Sequence, residues 1–344
     1  MLETLTTQLK AATDLTPDQI TEVVEQLISA DVEPGPKAEF LSALAQKGET
    51  IEEISAFAKI LRDKSVRPPL SESCRAREIL DVCGTGGDHQ NTFNISTTVA
   101  IVAASAGITM AKHGNRAITS KSGSADVLEA LGIRIDLTPE ETATALEEKG
   151  FAFFFAQKYH PAFKNIGPAR KLCAEKGQRT IFNFLGPLLN PARPTAQLIG
   201  VPNPKLCEPI GKVLQSLGIR RGMVVSGSVG EGNLDELSTL GVNQIAEFYQ
   251  DRGFSVETLE PTSFPIQAAQ LEDLKGGSSE ENATLIKRIL DGSEKGPKRD
   301  AVLLNAAAAL FVAEKCGSLT EGWDLATQLI DDGTASQKLA DLAS

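Results

Sequence analysis

The chain has no Cys-x-x-Cys pair, no apolar run of membrane-spanning length and no surplus of positive charge. Each absence removes a class of protein. Its five cysteines (Cys74, Cys83, Cys173, Cys207, Cys316) are odd in number and far apart. That excludes a disulfide framework or structural zinc site and suits reduced thiols in the cytoplasm. The opening stretch Met1 to Gln8 has neither the basic region nor the apolar core of a signal peptide. No internal repeat or low-complexity segment is evident. Thirty-four Lys and Arg against 45 Asp and Glu give a net charge of -11, which argues against broad binding to nucleic acid or anionic membranes. A cytoplasmic protein with neither kind of partner is the expectation.

What remains is an ordinary globular composition, 41% hydrophobic and 23% charged, in 344 residues. That length accommodates two domains. The segment 1–70 reads as helices. Thr16 and Pro17 open one with Ile20, Val23, Val24, Leu27 and Ile28 on a single face. Phe40, Leu41 and Leu44 mark a second. The capping box Thr50-Ile51-Glu52-Glu53 opens a third. Arg67-Pro68-Pro69 ends the block.

Over 76–344 the pattern alternates. Strands are expected at Ile79–Cys83, Ile108–Ala111, Phe151–Phe155, Leu198–Val201 and Met223–Val225. Helices are expected at Thr97–Ala106, around Val127–Leu131, after Thr138, and at Lys205–Leu217, Glu280–Leu290 and Ala301–Lys315. The fold class is α/β: a small N-terminal helical domain plus a large α/β domain with a mainly parallel central sheet.

Two glycine-rich segments follow the first two strands. One is Gly84-Thr85-Gly86-Gly87-Asp88 with Thr92-Phe93-Asn94-Ile95-Ser96-Thr97. The other is Lys112-His113-Gly114-Asn115-Arg116 running on to Ser122-Gly123-Ser124-Ala125-Asp126. Glycine lets backbone approach an anion and helix N-termini offer it free N–H groups, so the pair suggests a grip on a polyphosphorylated small molecule. The first segment lacks the Gly-Lys-Ser/Thr ending of a P-loop and the spacing of a dinucleotide fingerprint. Asp88 beside a phosphate implies an intervening divalent cation, amide or sugar hydroxyl, or else a local Asx turn. Lys112, His113, Arg116 and Lys121 place cations in the second loop, Lys121 reading more simply as solvated. Ser122 and Ser124 either complete a phosphate pocket or only cap a helix. Asp235-Glu236 suits oxygen coordination of Mg²⁺, although such pairs are common on surfaces. Arg170 with Arg179–Pro191 suits an aromatic acid or an interdomain ion pair.

Together with Tyr159-His160-Pro161-Ala162, Asp235-Glu236-Leu237-Ser238 and Leu304-Asn305-Ala306-Ala307, these segments resemble the anthranilate phosphoribosyltransferase family in order from about 79 to 310. The resemblance implies a nucleoside-phosphorylase-like phosphoribosyltransferase fold. It implies Mg²⁺-dependent transfer of 5-phosphoribose from 5-phosphoribosyl 1-diphosphate to the amino group of anthranilate, the second step of tryptophan biosynthesis from chorismate. It implies a homodimer through the helical domain, joined by helices from about 160–192. By position, Gly84, Gly87, Asp88, Thr92, Asn94, Ile95, Ser96, Thr97, Lys112, Asn115, Ser120 and Ser124 would hold the diphosphate. Gly84, His113, Asn115, Arg170 and Pro187 would hold anthranilate. Ser96, Asp235 and Glu236 would serve the metal, with Lys112, His113 and Asn115 at the chemistry.

The chain departs from the family pattern at His89, often glycine, at a longer Lys171–Gln178, and at Ser226-Gly227 where His-Gly is usual. The rival readings are a pyrimidine-nucleoside phosphorylase of the same fold and a non-catalytic nucleic-acid-binding paralogue.

Overall fold

The computed structural model describes residues 2–117, 121–250 and 253–344. Its first helix, α1 (Leu2–Lys10), is absent from the sequence reading, because Thr4, Thr6 and Thr7 are poor helix formers and no side-chain cap announces it. It forms by burying Leu2, Leu5 and Leu9 on one face, packed against α3 (Pro34–Lys47). Between them, α2 (Pro17–Ile28) opens on the Thr16–Gln19 capping box. The Thr50–Glu53 box opens α4 (Ile51–Asp63). Lys37 is buried within this bundle, its ammonium donating to the carbonyls of Ser29 at 2.6 Å and Asn165 at 3.0 Å. A short α5 (Glu72–Arg75) follows.

The sheet then begins with β1 (Ile79–Gly84), α6 (Ile95–Ser105), β2 (Thr109–Gly114), α7 (Ser124–Ala130), α8 (Pro139–Lys149) and β3 (Phe151–Phe155). It continues through α9 (Ala156–Tyr159), α10 (Gly167–Glu175), β4 (Ala196–Gly200), α11 (Cys207–Ser216), β5 (Arg221–Ser228) and β6 (Asn233–Leu234). Strands β7 (Asn243–Tyr249) and β8 (Gly253–Leu259) precede the terminal helices α12 (Ser279–Leu290), α13 (Pro297–Val312), α14 (Leu319–Asp331) and α15 (Thr334–Ala343).

The spatial order is β3-β2-β1-β4-β5-β7-β8, with β6 paired to β5. From β3 to β5 every pairing is parallel, whereas β7 and β8 add an antiparallel edge that the sequence reading did not anticipate. Gly84 on β1 lies opposite Gly200 on β4, so those two strands end together at the carboxyl edge of the sheet. Ligands of open α/β sheets bind at that edge.

Side-chain alternation splits the core between the two faces. Leu80, Val82, Met110, Leu198, Met223 and Val225 pack with α6, α7 and α12–α15. Ile199 and Val224 pack with α11, the N-terminal helices and the 166–189 segment. Burial of apolar surface on both faces of the sheet is the dominant stabilising term.

Candidate active site

Lys112 and His113 lie within β2, not in the loop after it. Pairing with β3 carries the strand on to Gly114, with Lys112 opposite Phe153 and His113 opposite Phe154. The period of two then sends these adjacent side chains to opposite faces. Lys112 passes under β1 toward the start of α6, its ammonium donating to the Val82 carbonyl at 2.8 Å and Ser96 Oγ at 3.4 Å. It is only 1% exposed. Burial lowers its pKa, against the opposing pull of the Cys83, Asp81 and Glu236 charges. His113 turns the other way. Its backbone N–H donates to buried Asp81, which also accepts from Asn190 at 2.9 Å. Burial raises that carboxyl to about 6, against the Asn190 hydrogen bond and the Lys112 charge.

The acid pair reaches both halves of the first glycine segment. Asp235 Oδ2 accepts the Gly86 N–H at 2.7 Å, and Glu236 Oε1 accepts the Ser96 N–H at 3.1 Å. Only glycine fits beneath it. A Cβ at Gly84 would overlap the Asp235 carboxylate, and one at Gly200 would overlap the Asp235 carbonyl. Asp88 forms the local turn, Oδ1 accepting the Gln90 N–H at 3.2 Å, and its charge also bears on Asp235. His89, at a place often glycine, sits at φ +59° in the left-handed region, where a side chain is strained.

Burial and mutual repulsion hold both acids well above the ordinary carboxylate range, with burial the larger cause in each and Asp88 next for Asp235, Asp235 next for Glu236. Among the described residues no ready-made cage of three or more His, Cys, Asp or Glu ligands exists. Mg²⁺ does not need one. It binds through one or two carboxylates completed by phosphates and water, and its charge would relieve the repulsion seen here. The residues fit the ion.

The second segment divides. Asn115 receives Ser124 Oγ on its carbonyl at 3.2 Å. Arg116 is matched instead by Asp126 at 2.9 Å and Glu129 at 2.8 Å, so its charge is held on α7. Ser124 is the first residue of α7, and the buried Ser122 Oγ has no partner among the described residues. Ser120 lies outside the described residues.

Arg170 of α10 stacks over the Phe182 ring at 5.7 Å, and Arg179 donates to the Gly87 carbonyl at 3.2 Å. A line of rings connects this corner to β2: His113 and His160 at 5.4 Å, His160 and Phe163 at 5.0 Å, Phe163 and Phe182 at 5.7 Å. Burial, then the neighbouring His160, depresses His113 to about 3, and burial depresses His160 to about 4. Both imidazoles are neutral at pH 7.

One cavity of about 870 Å³ joins these parts. Its wall contains Gly84, Gly87, Asp88, Thr92, Asn94, Ile95, Ser96, Thr97, Lys112, His113, Asn115, Ser124, Arg170, Asp235 and Glu236. Pro187 is not on that wall. It is buried, its carbonyl accepting from Gln197 at 3.0 Å. Ala45 and Glu49 of the helical region and Asn203 and Leu206 before α11 also line the cavity. They carry no local signature. Thr180, Phe182 and Asn183 belong to the arginine-bearing segment already noted.

The fold and site define a glycosyl transferase. Residues 76–336 match the "Glycosyl transferase family, a/b domain" model and residues 3–65 the "Glycosyl transferase family, helical bundle domain" model. Within that class the chain belongs to the anthranilate phosphoribosyltransferase family. It is 47% identical to the anthranilate phosphoribosyltransferase of Herpetosiphon aurantiacus over 95% of this chain and 94% of that one. It is 46% identical to that of Petrotoga mobilis over 96% and 92%. Among solved structures, the Thermus thermophilus enzyme superposes with a TM-score of 0.88 at 42% identity, covering 98% of each chain. The Saccharomyces cerevisiae enzyme, in complex with PRPP and Mg, gives 0.87 at 27% identity over 99% of this chain and 97% of that one.

Proposed function

We propose that the chain transfers 5-phosphoribose from 5-phosphoribosyl 1-diphosphate to the amino group of anthranilate, giving N-(5-phosphoribosyl)anthranilate and pyrophosphate. The observation that carries this reading is the junction of Asp235 and Glu236 with the Gly86 and Ser96 amides, directly beside the Lys112 ammonium. Carboxylates, backbone donors and a cation meeting in one cavity suit a metal-bound polyphosphate.

In this reading Gly84, Gly87, Asp88, Thr92, Asn94, Ile95, Ser96, Thr97, Lys112, Asn115, Ser120 and Ser124 hold the donor. Ser96, Asp235 and Glu236 would hold Mg²⁺, which when bound neutralises charge on the leaving diphosphate. Arg170 meets the acceptor's carboxylate, with Gly84, His113 and Asn115 beside the ring and Pro187 shaping the wall from behind. The acceptor's aromatic amine is neutral at pH 7 and attacks C1′ as the diphosphate leaves. His113, neutral at pH 7, also lines the cavity here. Catalysis is therefore positioning and charge neutralisation more than acid–base exchange.

Segments 1–70 and 76–344 act in this reading as a dimerising helical domain and a donor-binding domain. The dimer contact is placed at the groove between α3 and α10, where exposed Leu172 stands with Ala38 and Ala43 among the charged Lys10, Glu39 and Lys176. The five free cysteines suit work in the cytoplasm. Purified protein with Mg²⁺, phosphoribosyl diphosphate and anthranilate should consume anthranilate fluorescence and release pyrophosphate stoichiometrically. No consumption at saturating donor overturns the reading.

A further inference from the structure

Asn94 is the N-cap of α6, yet it does not cap. An asparagine at that position ordinarily turns its Oδ1 onto the N–H groups of the first turn. Here the side chain makes no cap hydrogen bond. Its Oδ1 instead accepts from Asn282 Nδ2 at 2.9 Å, and its Nδ2 donates to the Ser122 carbonyl at 3.1 Å. Asn282 lies 188 positions away on the first turn of α12 and is 3% exposed. Its own Oδ1 accepts the Gly277 N–H at 2.8 Å, which fixes which way its amide faces.

A backbone strap completes the arrangement. Residues 274–277 run beside 91–93: the Phe93 N–H donates to the Leu274 carbonyl at 3.1 Å and the Gly276 N–H to the Asn91 carbonyl at 2.9 Å. Thr92 and Lys275 form an antiparallel bridge between them. Gly276 must be glycine, because a Cβ there would stand 2.8 Å from Phe93 Cα and 3.1 Å from Asn282 Nδ2.

We infer that Asn282, backed by the 274–277 strap, is a positioning residue for the donor site, holding the Asn94 carboxamide off the N-terminus of α6 and tying it to the Ser122 turn. The consequence follows from the chemistry of helix ends. With its cap drawn aside, the first turn of α6 leaves the Thr97 N–H for an anion, since the Ile95 N–H already donates to the Phe93 carbonyl and the Ser96 N–H to Glu236. The Asn94 carboxamide thus ties the first glycine-rich segment to the second, beside the Lys112–Ser96 contact. The inference rests on the reading of this cavity as the diphosphate site.

Asn282→Asp is nearly isosteric and still accepts the Gly277 N–H, but it offers Asn94 an acceptor where a donor is needed. If the Asn94 amide flips to satisfy it, the bond to the Ser122 carbonyl is lost instead. Gly276→Ala attacks the same device from the strap and needs no change at Asn282. Steady-state kinetics with each substrate varied in turn should show the KM for phosphoribosyl diphosphate raised about tenfold in both variants, with the KM for anthranilate changed less than about twofold. Calorimetric titration with the Mg²⁺ diphosphate should show the same loss. An unchanged donor KM, or donor and acceptor KM rising together, in whichever variant is soluble overturns the positioning role. A wild-type chain without turnover would overturn the proposed function instead.

Discussion

Asp235 Oδ2 occupies the space that a side chain at Gly84 would need, and from there it accepts the Gly86 N–H at 2.7 Å. A methyl group at position 84 must displace either the carboxylate or the turn, and it would also stand 2.9 Å from the Asp235 carbonyl oxygen. Gly84→Ala is therefore expected to lower kcat/KM by about a hundredfold while costing about 1–3 kcal/mol of stability. Chemical denaturation beside steady-state kinetics checks this, and wild-type kinetics in the variant would contradict it.

Lys112 is a buried ammonium held by the Val82 carbonyl and Ser96 Oγ. Its loss removes a cation whose charge bears on Glu236. Lys112→Ala and the double variant Asp235→Asn/Glu236→Gln should each cost about 3 kcal/mol of transition-state stabilisation, on the order of a hundredfold in kcat/KM. Excess Mg²⁺ should not restore the double variant. Circular dichroism should show both folded.

Arg170 lies over Phe182 on the cavity wall, where the proposed function places the acceptor's carboxylate. A charge-assisted hydrogen bond to a carboxylate contributes about 1.5–3 kcal/mol, so Arg170→Ala should raise the anthranilate KM about tenfold or more. The donor KM should stay within about twofold of wild type. The reverse pattern would place Arg170 on the wrong substrate.

His160 gives a prediction in pH. Burial depresses its pKa to about 4 in the folded chain, while an unfolded histidine titrates near 6.5. Between those values the unfolded chain binds the extra proton, so this contribution to stability is present above pH 6.5 and fades as pH falls. Relative to His160→Gln, wild type should lose about 2 kcal/mol of stability between pH 7 and pH 5. Buried Asp81, raised to about 6, acts with the opposite sign, and so do the raised Asp235 and Glu236. The difference between the two proteins isolates the histidine because the acids are common to both. Parallel pH curves would refute it.

Local chemistry is legible wherever neighbours in sequence decide the outcome. The capping boxes at Thr16, Thr50 and Thr138 open helices where expected, since side chain and backbone partner are three residues apart. The apolar run Phe151–Phe155 is a buried strand. Where the partner is distant, local reasoning misleads in specific ways. Nothing near Lys112 says that β3 will extend its strand to Gly114, so local pattern alone puts it in a loop. Helix α1 depends on α3 for its stability, and the β7–β8 hairpin depends on the edge of β5. Arg116 resembles a ligand cation until α7 supplies Asp126 and Glu129.

By itself, then, the sequence determined the helix starts, the buried strands, the two glycine turns and the family to which their order belongs. Those depend on propensity and on spacing within a turn or two of chain. Only the tertiary structure decided which charges share a site. Gly86 and Asp235 are 149 positions apart, and they meet because the parallel register ends β1 level with β4, with β5 and its β6 hairpin alongside. The same geometry sends Lys112 toward Ser96 at the start of α6 and His113 toward His160, since neighbouring residues of a strand face opposite ways.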